Sequence, residues 1–403
     1  MNQAVTKREK YFFYFVLVDI IFAPYFPWLA ITFSQLFVFG WFMLEGYKQA
    51  PPREVTAYRW LLILVAASTA LSPLWLPPGQ EGFYFFDNIK RALNFGISIS
   101  YYFYFLHYLR RIELKMWKWV FAMIVYIGLW AYIFYMDSSL FFRLKTLFNP
   151  RDSLMLMMDE HTGVFRFNFI WTDPNNVGYA LVGLLAYLLI DIRTPKVVIA
   201  IAVLLAAFST ILIMSAGTLI SAAIVLPLAL LVRFRRNHEA RSVLMTIVLA
   251  FLVIQIGSRY SRALFGSDLG TAAIERLQQK EEVGDDRPTI WKNLVLAKNP
   301  LTHMVLGEGE NLFVEEELYF PHSGHLMLFY GYGMIVYVLY MFLIFRKVPG
   351  VSWADYLPVM AFLLCFTINV GIGEMKFCGI MSLLVAYQRL LPTQQKPQPV
   401  LAS

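Results

Sequence analysis

The chain has 403 residues, of which 59% are hydrophobic and 17% aromatic, against 15% charged. That balance excludes a soluble globular domain and a disordered chain, and it predicts a polytopic membrane protein. The net charge of +7 does not point to nucleic acid, because most basic residues fall in short segments between apolar runs, where membrane topology accounts for them.

Apolar runs near the ~20 residues that cross a bilayer recur about twelve times, at residues 9–24, 27–45, 57–76, 88–109, 116–136, 174–191, 195–213, 217–233, 242–256, 322–345, 354–371 and 376–390. The first begins after Lys7, Arg8 and Lys10 and runs through Asp19, Pro24 and Pro27 without a small-x-small cleavage site, so it reads as an uncleaved span rather than a signal peptide. Alternation from a cytoplasmic N-terminus puts Lys48, Arg53 and Arg59, then Arg110, Arg111, Lys115 and Lys118, then Arg193 and Lys196, then Arg233, Arg235, Arg236 and Arg241, and finally Arg346 and Lys347 on the inner side, as the positive-inside rule requires. The expected fold is therefore all-α, a polytopic membrane helix bundle of about twelve transmembrane helices with a periplasmic cap made by two long loops. Its organisation is 1–136 for five spans, 137–173 for the first outer loop, 174–256 for four spans, 257–321 for the large outer loop, and 322–403 for three spans and a tail. In the fourth span, Tyr101-Tyr102-Phe103-Tyr104-Phe105 reads as a lipid-facing stretch or as the lining of a slot for a lipid tail.

Both outer loops carry basic residues that topology does not explain. In the first these are Arg143, Lys145, Arg151 and Arg166; in the second, Arg259, Arg262, Arg276, Arg287 and several lysines are partly neutralised by Asp268, Glu281, Glu282, Asp285, Asp286 and the acidic run 315–317. Most read as solvated charge. Arg166 stands apart in Arg166-Phe167-Asn168-Phe169-Ile170-Trp171-Thr172-Asp173-Pro174-Asn175-Asn176-Val177-Gly178, which ends in a helix start with Asp173 as N-cap and Pro174 in the first turn. The plain alternative is an interfacial aromatic belt with a snorkelling arginine. Arg287 opens a short amphipathic helix with Ile290, Trp291, Leu294 and Val295 on one face, expected to lie on the outer interface and to stop at Asn299-Pro300. A glycine turn, Leu306-Gly307-Glu308-Gly309, then returns the chain toward Pro321-His322-Ser323-Gly324-His325-Leu326 at the mouth of the tenth span. His322 and His325 read either as an interfacial hydrogen-bonded pair or as a site. A zinc site with the 315–317 acidic run lacks a compact ligand motif, His161 and His303 show no partner pattern, and His107 and His238 fall on the cytoplasmic side. Cys365 and Cys378 lie in apolar segments, which supports neither a disulfide framework nor a thiolate metal site.

The order of these pieces resembles the O-antigen polymerase and O-antigen ligase superfamily. The resemblance rests on Arg-x-x-x-x-aromatic-x-Asp-Pro-Asn from Arg166 through Trp171 to Asn175, on Arg287 with Trp291, on Gly307 with Gly309, and on His322-Ser323-x-His325-Leu326 with Gly333. It covers residues 160–345, while the first five spans carry no signature. The chain departs from the family in having Phe169 where glycine is frequent, Ser323 where asparagine is frequent, and Met214-Ser215-Ala216-Gly217-Thr218 where a Ser-Arg pair is frequent. Lys90, Arg91 or Arg143 are the candidates to supply the missing charge.

The resemblance implies glycan transfer at the outer face of the bacterial inner membrane from an undecaprenyl diphosphate-linked donor, without metal, nucleotide sugar or other cofactor. Arginine forks suit diphosphate oxygens and stay charged at any working pH. Arg166 and Arg287 would then clamp the diphosphate, and His322 would be the general base for the acceptor hydroxyl, its neutral form favoured by a helix N-terminus. His325, Asn175, Trp291, Arg143, Lys90 and Arg91 are the candidate substrate contacts. The expected function is a polymerase moving a growing chain onto a lipid-linked repeat unit; the alternatives are a ligase moving polymer onto lipid A-core, and a small-solute transporter, for which Asp19 is the one obvious ionisable group within a span. A polysaccharide chain-length regulator is an expected partner from the resemblance.

Overall fold

The computed structural model describes residues 5–26, 31–149, 165–236, 248, 287–298, 300–314, 317–346, 348–369 and 373–394. These are mostly helical. Four helices, Pro52–Trp75, Met116–Met136, Lys196–Ile213 and Ala216–Arg236, are long and apolar enough to cross a membrane. Helices also lie on the other segments expected to span, apart from 242–256, which is outside the described residues.

Local sequence sets the starts of these helices. α1 (Lys7–Ile21) opens on a capping box, with the Glu9 N–H donating to the Thr6 hydroxyl at 3.2 Å and the Thr6 N–H to the Glu9 carboxylate at 2.8 Å. α2 (Phe33–Trp41) begins at Thr32 and passes through a π-helical turn, Phe42–Gly46, into α3 (Tyr47–Gln49). α4 (Pro52–Leu71) has proline in its first turn, where the missing N–H has no role. α5 (Glu81–Leu109) and α6 (Met116–Met136) follow, and Asp137 caps the short α7 (Ser138–Phe148) through the Leu140 N–H at 2.9 Å. Then come α8 (Pro174–Ile190), α9 (Lys196–Ile213), α10 (Ala216–Arg236), α11 (Arg287–Ala297), a hairpin of β1 (Leu312–Val314) and β2 (Glu317–Tyr319), α12 (Gly324–Tyr332), α13 (Met334–Phe345), α14 (Leu357–Ile368) and α15 (Met375–Gln394). The hairpin is antiparallel, with Phe313 opposite Leu318.

The 322–345 segment is two helices rather than one. Gly333 breaks it at φ +99°, because the cap segment crosses at that point: the Glu308 and Gly309 N–H groups donate to the Tyr330 and Gly331 carbonyls at 2.9 and 2.8 Å. Carbonyls left open at the end of α12 are thus satisfied by the cap. The approach is so close that a Cβ on Gly307 would lie 2.2 Å from the Gly331 backbone carbon.

α5 packs along α15, and α8 packs against α10, α14, α9 and α6. Tyr101, Tyr102, Phe103, Tyr104 and Phe105 are all buried within the protein, with Tyr104 and Phe103 edge-on or tilted to Trp41 and Phe42, so they are not lipid-facing, and Tyr102 lines a small pocket with Tyr340 and Met381. The error has a physical source: lipid tails are as apolar as phenylalanine, and composition cannot separate the two environments.

At one end of the bundle, residues 137–149, 165–173, 287–298, 300–314 and 317–323 form a cap. At the opposite end buried Glu54 accepts from Arg389 and Arg346 at 3.1 Å each and from the Tyr102 hydroxyl at 2.6 Å. Arg233 closes the end of α8 there, donating to the carbonyls of Leu188, Leu189, Asp191 and Thr194 at 3.2 to 3.3 Å. Arg193, Arg233 and Arg346, expected on one side of the membrane, gather at this end.

Candidate active site

Where the cap meets the bundle, Asp173 caps α8 by accepting the Asn175 N–H at 2.7 Å. Gly178 lets α10 come close beside it, since a Cβ there would lie 2.0 Å from the Thr218 hydroxyl. α9 ends at Met214 in the left-handed conformation, φ +51°, and the Ser215 hydroxyl accepts the Thr218 N–H at 3.2 Å at the start of α10. Arg166 bridges the two helix starts. Its Nε donates to the Ile213 carbonyl at 3.0 Å and a terminal nitrogen to the Asn175 side-chain oxygen at 3.2 Å, and Ser215 donates to that same oxygen at 2.7 Å. The Arg166 guanidinium therefore lies in the turn beside Ser215.

The segment carrying Arg166 is anchored inside the protein. Phe167, Phe169 and Trp171 are completely buried, which replaces the aromatic-belt reading. Buried Lys145 donates to the Trp171 carbonyl at 2.9 Å and Asn149 to the Ile170 carbonyl at 3.1 Å. Phe169 takes φ +56°, a region costly for any side chain and open to glycine. From below, Glu374 accepts from the Tyr25 hydroxyl and, at 3.5 Å, from the Thr172 N–H. Burial raises the Glu374 carboxyl to about 7, against the pull of the Thr172 N–H and Lys376.

His322 lies on the adjoining helix start. α12 begins at Gly324, with Ser323 as N-cap accepting the Leu326 N–H at 3.4 Å and donating to the Phe366 carbonyl at 3.1 Å. His322 consequently stands one residue before the cap rather than in the first turn, exposed, at φ +46°, with its ring edge-on to Phe320. His325 does not share its surroundings. It turns inward against Tyr337 and Phe366 at 5.8 and 6.1 Å and bonds the Leu363 backbone.

Two sets of contacts join His322 to the other motif pieces. The Gly324 N–H donates to the Asn369 carbonyl at 3.0 Å, and the Asn369 side chain donates to the Asn176 side-chain oxygen at 2.9 Å. On the cap side, the Trp291 indole N–H donates to the Pro321 carbonyl at 2.7 Å and the Tyr319 hydroxyl to the Ile290 carbonyl at 3.0 Å. The helix opened by Arg287 is thereby docked beside His322; the Arg287 side chain lies outside the described residues. Its buried residue, Leu294, packs with Leu312, Met327 and Tyr330, while Val295 is exposed. α11 thus packs on the hairpin and α12 through Leu294.

Other candidates sit elsewhere. Arg143 is exposed on α7. Lys90 and Arg91 pair with Asp87 at 3.7 and 2.6 Å, and Arg91 lies 3.8 Å from Glu310. Burial raises the Glu310 carboxyl, and Arg91 opposes that shift. This group ties α5 to the glycine turn, helped by Asn88 accepting the Asn311 N–H at 2.9 Å. His303, without any pattern in sequence, is buried 2.8 Å from Glu308, which also pairs with Lys298. Its partners come from the fold of the cap. His161 and His238 lie outside the described residues.

The assembled site has an arginine fork, two adjacent helix starts and an exposed histidine before a third. Helix N-termini carry positive partial charge, which with a guanidinium suits a phosphate-class anion, while the Asn175, Thr218 and Leu326 N–H groups at these starts are already capped by Asp173, Ser215 and Ser323. Comparison with family models, with curated proteins and with solved structures finds no match for the chain.

Proposed function

We propose that this chain is a membrane glycosyltransferase of about twelve spans that polymerises surface polysaccharide at the outer face of the bacterial inner membrane, moving a growing glycan from undecaprenyl diphosphate to a lipid-linked repeat unit. One observation carries the reading: Arg166, Asn175 and Ser215 form one cluster, and Asn176, next along α8, is hydrogen-bonded through Asn369 to the helix start that follows His322. Pieces far apart in sequence meet where a lipid diphosphate at the membrane surface could reach them. Arg166, with Arg287 on α11, holds the diphosphate and stabilises the charge that grows on it as the anomeric bond breaks. His322 takes the proton of the acceptor hydroxyl, a role that contributes on the order of 10² to 10⁴ in rate. Two features fit the resemblance at positions where the chain departs from it. Phe169 adopts a glycine-like φ, and Ser323 is an N-cap, a place where asparagine serves equally well.

Transport is the weaker reading. Asp19 holds the start of α2, where one carboxylate oxygen accepts the Ser34 N–H at 2.6 Å and the other is buried without a hydrogen-bond partner among the described residues. The deciding experiment replaces His322, and separately Arg287, with alanine in a strain lacking the wild-type copy, with membrane protein levels checked. Loss of the polysaccharide ladder with a single repeat still on the lipid core is expected. Accumulated lipid-linked polymer with a bare core means ligase, and an unchanged ladder overturns the assignment.

A further inference from the structure

Asn175 and Asn176 are neighbours on α8 with different partners. Asn175 receives Arg166 and Ser215, while Asn176, buried, receives the Asn369 amide at 2.9 Å and the Cys365 thiol at 3.3 Å. Asn369 ends α14: its N–H donates to the Cys365 carbonyl at 2.8 Å, and its carbonyl accepts the Gly324 N–H at 3.0 Å. The Ser323 hydroxyl adds a second tie to α14 at the Phe366 carbonyl. Two sets of hydrogen bonds, joined by the α8 backbone between Asn175 and Asn176, thus run from the guanidinium of Arg166, across α8 and the end of α14, to the two residues that follow His322.

We propose that Asn176 and Asn369 are positioning residues that set the placement of His322 relative to the Arg166 cluster. This rests on the transferase reading above. Neither residue is assigned contact with substrate, since both are buried. The chemistry requires such a link. Proton removal from the acceptor hydroxyl and departure of the diphosphate occur at the two ends of one transferring carbon, so base and anion site must keep a set separation, and a displacement of about 1 Å can cost on the order of 10²-fold in rate. His322 lies outside the helix at φ +46°, a conformation that persists only when its surroundings enforce it. The Gly324 N–H and Ser323 hydroxyl bonds to α14 are what enforce it here, and Asn369 fastens that part of α14 to α8.

The test uses the full-length protein in lipid nanodiscs with a synthetic undecaprenyl diphosphate-linked repeat unit, for wild type, Asn369→Ala, Asn176→Ala, His322→Ala, Arg166→Ala and the double variant Asn369→Ala with His322→Ala. Asn369→Ala is expected to lower turnover about tenfold or more while the KM for donor stays within about threefold, whereas Arg166→Ala raises that KM. The double variant should be no slower than His322→Ala alone, because a residue acting through His322 has nothing left to position. Additive losses in the double variant, or a donor KM in Asn369→Ala that rises as in Arg166→Ala, overturn the proposal. A second readout does not depend on the reaction: the rate of His322 acylation by diethyl pyrocarbonate, followed by mass spectrometry. Asn369→Ala and Asn176→Ala should change it by about threefold or more, a sign that the histidine has moved. An unchanged acylation rate in variants that remain monodisperse overturns the positioning role. Wild-type protein inactive on lipid-linked donors would sink the transferase reading instead, and the acylation arm would then decide the bridge alone.

Discussion

Arg166 shows why a guanidinium, and not simply a positive charge, is needed at its position. Its fork donates in two directions, to the Ile213 carbonyl and to the Asn175 oxygen, and a lysine ammonium on a flexible stem cannot reproduce that geometry. Arg166→Lys should therefore lose polymer transfer nearly as fully as Arg166→Ala, by about a hundredfold or more, read as ladder intensity at matched protein levels. Two left-handed residues beside it should respond in opposite ways to glycine. Met214 is half-buried at φ +51°, and Met214→Gly relieves a backbone strain of about 1–2 kcal/mol, so thermal stability in detergent should stay level or rise. Phe169 has the same strain at φ +56° but is completely buried against Tyr126 and Trp130. Losing the ring costs about 3–5 kcal/mol, so Phe169→Gly should lower the melting temperature. Glu374 carries the pH dependence. Its carboxyl is raised from 4.5 to about 7, so the folded state holds its proton where the unfolded chain releases it. The sign follows for this group: its contribution to stability is greatest below about pH 4.5 and declines as pH rises toward 7, by up to about 3 kcal/mol. Glu374→Gln should flatten the change in melting temperature between pH 5 and pH 8, and a slope unchanged by that substitution would rule the group out.

Among elements, the meeting of the glycine turn with the end of α12 is the least tolerant of change. Gly307 approaches the Gly331 backbone, and Gly333 turns the chain at φ +99° beneath the Val305 carbonyl. Both neighbours of Gly307 are main chain, so an added methyl cannot be relieved by a rotamer change. Gly307→Ala should detach the 305–311 segment from α12 and α5, seen as faster proteolysis of the cap in intact membranes and loss of the ladder. The helix starts at Pro174, Ala216 and Gly324 form the second important arrangement. They are held together by interhelical hydrogen bonds, each worth only roughly 0.6–1.7 kcal/mol in a bilayer. Single losses there should disturb geometry and activity before they unfold the protein.

For the whole molecule, the polar residues divide between two ends. One end holds the cap and the Arg166 cluster, and the other holds the Glu54, Arg233 and Arg193 networks. On the proposed orientation, a cysteine placed at exposed Thr302 should react with an impermeant maleimide in spheroplasts. A cysteine at Arg193 should react only after permeabilisation. The reverse pattern would invert the protein and remove the cap from the polysaccharide side of the membrane.

By itself the sequence determined the apolar, helical character of the chain and the start of α8, because each depends on the polarity of a local stretch: apolar length for the four helices long enough to cross a membrane, Asp173-Pro174 for α8. It also marked Arg166, Asn175, Trp291 and His322 as a group through their order. Tertiary structure alone decided which faces are inside. It buried the Tyr101 to Phe105 run and Phe167, Phe169 and Trp171, because a bilayer and a protein interior are alike in apolarity. It also decided who partners whom. His303 gained Glu308, Arg91 was neutralised by Asp87 and Glu310, His325 turned inward, and Arg166 filled the turn at Ser215. Each of those pairings depends on which helices lie side by side, a long-range property that no local pattern of residues encodes.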